Sequence, residues 1–479
     1  DWQDLGNGLW SHPFEARIPA HKSVWGKKNP PILLRREMVC VDGVHLGQVL
    51  EREELSPGSF CVDGAAQRLL VRTDPERDLN TSLVEVADAT HSAATAVLDV
   101  EGVKNVVLRN LTIQHGNQGL HNFFALRLGS NALVEDCIVQ WNNSGGIRMG
   151  SENCTLRRVK LLNNGGLGAF AWRARNHRIE DCEASYNNWR GHQGEYHGWA
   201  VGGFKYHYVE HIHVDNLRAV GNYSPGFWTD LWCYHVTIEN SHFEGNEYEP
   251  AILFEISRRC TVRNTRIIRN CEGIRLHDAG DIVLENCDLR GNAVQMTVYA
   301  SKPRPDGLAT ERPGSHEGPN AGRLSPTDKL TLQDCRVACE DRPDWQRRVV
   351  PRTDGFLHVM ALGFQQFIHA AQYERAAKPF YSTLADPGTI WRHALPGPRF
   401  RGPGGNLLTE SEWRKARNRG WNRTGEWRQQ LTDGELVFTP EPDGSTILPR
   451  WEIPATAAPY LSAHKGEEDV PFLRFERPF

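Results

Sequence analysis

The sequence predicts an all-β chain: a right-handed parallel β-helix solenoid with a small N-terminal β-domain and a C-terminal capping extension. Three observations carry this. First, short segments recur: "VEDCIVQWN", "LRRVKLLNN", "IEDCEASYN", "VDNLRAVGN", "IENSHFEGN", "VRNTRIIRN" and "LENCDLRGN". Second, each ends in asparagine, at Asn142, Asn164, Asn187, Asn222, Asn246, Asn270 and Asn292, in steps of 22, 23, 35, 24, 24 and 22 residues. Third, each unit alternates apolar and polar residues over three or four positions and then turns. A repeat this short does not hold most helix pairs, and the leucine-rich signature is absent. Two or three short strands per repeat fit one coil of a solenoid.

Residues 1–95 lack the repeat. "MVCVDGVHL" and "GSFCVDGAAQRLLVRT" read as hairpins with a Val-Asp-Gly turn, hence a small β-rich domain. The solenoid is expected over 96–344. Its rhythm breaks twice, at about 189–202 and in the Pro/Gly-rich stretch 301–329, and such insertions become projecting loops that wall binding sites. Residues 345–479, rich in Pro, Arg and Trp, are expected to pack on the solenoid as a cap, with "ALGFQQFIHAAQYERAAKPF" and "TESEWRKARNRG" read as partly helical.

Within the repeat, asparagine suits the turn because it tolerates left-handed backbone, and stacked asparagines can bond from coil to coil. Cys137, Cys182, Cys287 and Cys335 share the fourth place of their units and read as a buried small-residue stack. With 11 cysteines and no close CxxC pair, neither a zinc finger nor a dense disulfide frame is suggested.

The 479 residues carry a net charge of −4, which argues against a nucleic-acid partner. Mean hydropathy is −0.53, and no apolar run approaches the length of a membrane span. Fifteen tryptophans suit sugar stacking. The chain opens at Asp1 without Met or a charged-then-apolar leader, as a processed or trimmed chain does.

After each Asn turn a strand follows: "GIRMG", "GFKYH", "GFWTD", "AILFE" and "GIRLH". Alternation sorts their side chains. Ile147, Met149, Phe204, Tyr206, Phe227, Thr229, Ile252, Phe254, Ile274 and Leu276 are expected inward, with Leu231 continuing the series. Arg148, Lys205, His207, Trp228, Asp230, Trp232, Leu253, Glu255, Arg275 and His277 are expected outward. His207, Asp230, Glu255 and His277 then share one register on four successive coils, and coils about 4.8 Å apart set the two carboxyls roughly 5 Å apart. That matches a retaining glycosidase rather than an inverting one. Two acids so close split their pKa values, and Asp230 is read as nucleophile and Glu255 as general acid/base. Trp228 and Trp232 would stack on a sugar; Arg148, Lys205, His207, Arg275 and His277 would supply donors. A solvated acidic face, or a calcium ion held by the pair, is the competing reading. Asp230 lies 8 residues after its Asn and Glu255 lies 9 after its own, so a bulge would flip one of them to the other face.

"HQGEYH" carries His192, Glu195 and His197 at a spacing unlike the HExxH zinc pattern. Asn80 and Asn422 open chance sequons, and Asn142 opens one from within the ladder.

At "PGFWTDLWCYHVTIEN" and "PAILFEIS" the chain resembles the right-handed β-helix glycoside hydrolases of family 120 (β-xylosidases) and family 141 (fucosidase and xylanase members). The resemblance covers roughly residues 8–300 and takes in "GNGLW" and the Val-Asp-Gly segments. It implies Asp230 as nucleophile and Glu255 as acid/base, and, since coils precede the small β-domain in those relatives, sequence upstream of Asp1. The expected function is therefore a retaining, xylosidase-like hydrolase of plant or algal polysaccharides or their oligosaccharides, secreted or periplasmic in a bacterium. It needs no cofactor, and a structural calcium stays open. The alternative is a polysaccharide lyase or uronate epimerase, in which Lys205 or His207 takes a proton, Arg275 or a metal neutralises the uronate, and the two acids hold a cation.

Overall fold

The computed structural model describes residues 1–87 and 94–338, except 17–22, 25–26, 29, 121–122, 194–195, 197–199, 248, 271, 278, 291, 293 and 300–329. Beyond 338 it describes only the short strands at 400–401, 407–408, 430–432, 435–437, 446–448 and 451–452. Glu195, His197, the 301–329 insertion, the Asn422 sequon and the expected C-terminal helices lie outside the described residues.

The chain winds into a right-handed parallel β-helix. Each coil gives one strand to each of three parallel sheets, and in each sheet coil n pairs only with coils n−1 and n+1. The first sheet runs Leu98–Val100, Phe124–Leu128, Gly145–Arg148, Leu167–Trp172, Gly202–His207, Phe227–Asp230, Pro250–Glu255, Glu272–His277 and Val294–Tyr299. Among the described residues the two other sheets each have ten strands, the last of them antiparallel. Those two, Trp451–Glu452 and Thr446–Leu448, pair with the edges of Leu330–Gln333 and Cys335–Ala338. They cover backbone groups that the final coil would otherwise leave open.

One continuous apolar core fills the solenoid, and every residue expected inward from the five aligned strands is at most 3 % exposed. Aromatic rings stack along it: Phe204 and Phe227 lie 6.0 Å apart, Tyr206 and Phe227 5.5 Å. Leu231 is the exception. The strand ends at Asp230, and Leu231 and Trp232 both take positive φ, 55° and 68°. Leu231 therefore leaves the core and packs with Trp232, Tyr234 and Ile256 in a separate cluster outside it.

The asparagine ladder is buried and continuous. Asn142 Nδ2 donates to Asn164 Oδ1 at 2.9 Å, and the same bond repeats from Asn164 to Asn187, Asn222, Asn246, Asn270 and Asn292 at 2.9–3.0 Å. From Asn187 to Asn292 each Oδ1 also accepts the backbone N–H of the asparagine one coil before, as Asn222 N donates to Asn246 Oδ1. Of the two reasons expected for asparagine, the coil-to-coil bond holds and the left-handed turn does not. The left-handed residue is the one before it: Trp141, Asn163, Tyr186, Gly221, Gly245 and Arg269 have positive φ, and the ladder asparagines do not. They are selected for their amide, which donates and accepts at a site without water.

Two further columns of left-handed residues mark the other corners. Asn131, Asn153, Asn176, His211, His235, Arg259 and Asp281 form one; Asp136, Arg158, Asp181, Asn216, Asn240, Asn264 and Asn286 form the next. The cysteines lie in a third kind of column. Cys137, Cys182, Cys287 and Cys335 are buried and unbridged, and each thiol points at a carbonyl of the preceding coil 3.4–3.7 Å away.

The N-terminal region forms a five-stranded and a three-stranded sheet around Trp10, Val39, Val41, Phe60, Leu69 and Val71. The first Val-Asp-Gly is a two-residue hairpin turn between Met38–Val41 and Val44–His45, with Asp42 and Gly43 at φ 49° and 80°. Ser59–Asp63 and Arg68–Arg72 form the second hairpin. The insertion after Asn187 begins as the short helix Trp189–Gln193 and docks this region onto the solenoid. Arg190, fully buried, donates to Asn143 Oδ1, Gln48 Oε1 and the Glu37 carbonyl at 2.7–3.0 Å. Burial pulls its pKa down to about 9, so it keeps its charge at neutral pH.

Candidate active site

The outward side chains of the first sheet form two parallel columns. Pairing places Arg148 beside Phe170, Phe170 beside Lys205, Lys205 beside Trp228, Trp228 beside Leu253 and Leu253 beside Arg275. Two residues further along each strand, Trp172 pairs with His207, His207 with Asp230, and Glu255 with His277. Thr229 pairs with Phe254, so Asp230 and Glu255 follow side by side as the last residues of neighbouring strands. The additional residue before Glu255 is absorbed ahead of the strand: Phe227, five residues after Asn222, pairs with Ile252, six after Asn246. Gly202 starts the Lys205 strand at φ 116°, where an added Cβ would lie 2.3 Å from the Pro225 carbonyl oxygen.

Asp230 meets two bases through one oxygen. Lys205 Nζ and His207 Nε2 each lie 3.3 Å from Oδ2. Oδ1 has no hydrogen-bond or ion-pair partner among the described residues. Burial works to raise the Asp230 pKa, but the Lys205 charge and His207 outweigh it and bring it down to about 2. Burial lowers the Lys205 pKa, while the charges of Asp230 and Glu255 oppose that fall. His207 is lowered by burial and by Lys205, against the pull of Asp230. Both of its ring nitrogens are buried; Nε2 faces Asp230, and Nδ1 has no hydrogen-bond partner among the described residues.

Glu255 has different company. Trp228 Nε1 donates to Oε2 at 3.1 Å, and His277 Nδ1 lies 3.2 Å from Oε1. One acid is thus held against an ammonium, the other between an indole N–H and an imidazole.

The remaining expected residues fall in three places. Trp228 is only 8 % exposed, with the Lys205 ammonium 2.9 Å from its ring centroid, so that face is occupied. Trp232, turned away by the positive φ of its corner, is buried with Tyr234 and Ile256 instead of lying beside Asp230. Arg275 is bound to Glu249 at 2.7 Å and Glu272 at 2.6 Å, and Arg148 pairs with Glu101 at 3.3 Å, three rungs from Asp230.

Trp172 was not among the expected residues. It is 40 % exposed and meets His207 edge-on with centroids 5.2 Å apart. Its strand, "LGAFAW", carries the same outward alternation as the five aligned strands and follows Asn164 in the ladder, which is the signal that would have found it.

A protein family described as the right handed beta helix region matches residues 95–294. Among solved structures, the complex of XylC with xylose superposes with a TM-score of 0.54 at 11 % identity, over 71 % of this chain and 63 % of that one. This chain therefore spans less than two thirds of that protein. The A-module of the mannuronan C-5 epimerase AlgE4 from Azotobacter vinelandii follows at 0.36 and 18 %, over 51 % and 64 %. At such identities the likeness is one of fold. No curated protein matches the chain in sequence.

Proposed function

We propose that the chain is a retaining glycoside hydrolase, with Asp230 as nucleophile and Glu255 as general acid/base, acting on plant or algal polysaccharides or their oligosaccharides. One observation carries this reading: two carboxylates end adjacent rungs on one face, Asp230 held by Lys205 and His207, Glu255 bonded by Trp228 and beside His277. A nucleophile must be ionised before substrate arrives, and Asp230 is held so by Lys205 and His207. With Oδ2 engaged, Oδ1 is the oxygen that would attack the anomeric carbon. As that bond forms, the glycosidic C–O bond breaks and Glu255 gives its proton to the departing oxygen. Water then attacks the glycosyl-Asp230 ester, Glu255 takes the water's proton, and the sugar leaves with its configuration retained. Trp172, two rungs from Asp230 and against His207, offers an exposed ring on which a sugar would stack.

The lyase or epimerase reading is less well supported. It needs a cation for the uronate carboxylate, and Arg275 is already matched by Glu249 and Glu272. Its base, Lys205 or His207, is in contact with Asp230.

The structure of XylC was determined with xylose, so aryl and oligomeric xylosides are the first substrates to test, followed by other plant and algal glycans. On the substrate so found, Asp230→Asn is expected to lower kcat/KM by more than about 10⁴-fold and Glu255→Gln by about 10²–10⁴-fold. Full turnover by both variants refutes the mechanism, inversion of the first-formed anomer refutes retention, and an ultraviolet-absorbing unsaturated uronate makes the protein a lyase.

A further inference from the structure

A second cluster of reactive side chains lies away from the acid pair, where the three-stranded N-terminal sheet meets the first coils. Cys40 pairs across that sheet with Glu85 on one side and His45 on the other, so all three share a face. His115, at the left-handed corner after Thr112–Gln114, reaches them from the solenoid. The Nε2 atoms of His45 and His115 are 3.2 Å apart, and ligand atoms from Cys40, His45 and His115 all lie within 4.8 Å of one another. Two further contacts orient the rings. His45 stacks on Trp141 at 4.0 Å between centroids, and Glu85 Oε1 lies 3.4 Å from His115 Nδ1. The four residues, with Met38, Val86 and Ala87, line a cavity of about 140 Å³, against about 30 Å³ for one water.

We infer that Cys40, His45 and His115 bind a zinc-class divalent ion that fastens the N-terminal sheet to the solenoid, with Glu85 as the carboxylate behind His115. One sulfur and two imidazoles suit zinc, whereas calcium and magnesium demand banks of oxygen. Bonds of 2.0–2.3 Å in a tetrahedron set ligand atoms about 3.3–3.8 Å apart; the two imidazole nitrogens stand at 3.2 Å, and the sulfur lies within 4.8 Å of both. A carboxylate on the far nitrogen of a ligating histidine is the usual support for such a ring. Binding releases the Cys40 thiol proton to solvent, and the cavity leaves room for a water as fourth ligand.

The test uses the whole chain, stripped with a chelator and titrated with zinc or cobalt. One equivalent should bind at micromolar free zinc and raise the melting temperature, and the cobalt form should show thiolate charge transfer. Cys40→Ser should abolish that band, and Glu85→Gln should weaken affinity by about 10–100-fold while keeping it. Failure of the wild-type chain to bind stoichiometrically, cobalt spectra without sulfur ligation, or undiminished binding by both Cys40→Ser and His115→Gln overturns the proposal. If a variant does not fold, the wild-type titration and spectrum decide.

Discussion

Asp230 keeps its charge in a half-buried place because the buried Lys205 supplies the opposite one. Removing that ammonium while keeping the stem, Lys205→Met, leaves burial and His207 to set the carboxyl. The Asp230 pKa should then rise from about 2 towards or above its ordinary 3.8. The acid limb of kcat/KM against pH should move up accordingly; an unmoved limb shows that Lys205 does not hold the carboxylate. The linkage sign is that of a depressed acid: the stability it lends is present above the unfolded pKa of 3.8 and is lost as pH falls towards 2. Acid-induced unfolding of the Lys205→Met variant should therefore begin at higher pH than in the parent. At this scale the acids were legible because alternation through "GFWTD" and "AILFE" puts them outward. Lys205 as a partner of Asp230 was not, because contacts between side chains depend on rotamers that period-2 patterning does not specify.

Along the elements, the repeat places groups whose value is collective. Asn222 both donates to Asn246 and accepts from Asn187, so Asn222→Ala strands at least two buried groups at about 1–3 kcal/mol each. A melting temperature several degrees lower, with the β-sheet spectrum retained at low temperature, is the expected result. The exposed corner asparagines behave differently. Asn153 sits at φ 51°, where a β-branched side chain costs about 1–2 kcal/mol, so Asn153→Val should destabilise measurably while Asn153→Gly stays near the parent in thermal melts. The buried ladder could be read from sequence because its period is fixed. The corner columns could not, since Asn, His, Arg and Asp share them. The continuation of the strand pattern into Leu231 and Trp232 was misread for a related reason: a corner reverses the alternation, and nothing in "DLWC" announces it.

For the molecule as a whole, the described start of the insertion after Asn187 joins the N-terminal region to the solenoid. It carries Arg190 into the junction with the N-terminal sheets, far along the sequence from Gln48 and Glu37. Arg190→Met should cost about 1–3 kcal/mol for each buried oxygen it leaves unsatisfied. Limited proteolysis is the sensitive readout, with release of the N-terminal region well below the temperature at which the coils melt. An unchanged digestion pattern would mean that the apolar contacts alone hold the junction.

By itself the sequence determined the solenoid, its period, its buried asparagine column and the face on which Asp230 and Glu255 stand. All of these follow from local periodicity, since parallel strands stack residues that are one coil apart. Only the tertiary structure decided that Lys205 and His207 share one oxygen of Asp230, that Trp232 turns away, and that Cys40, His45 and His115 converge. Those arrangements join segments at no fixed spacing, through corner geometry, side-chain packing and the docking of one region on another, and such contacts leave no repeating trace in the chain.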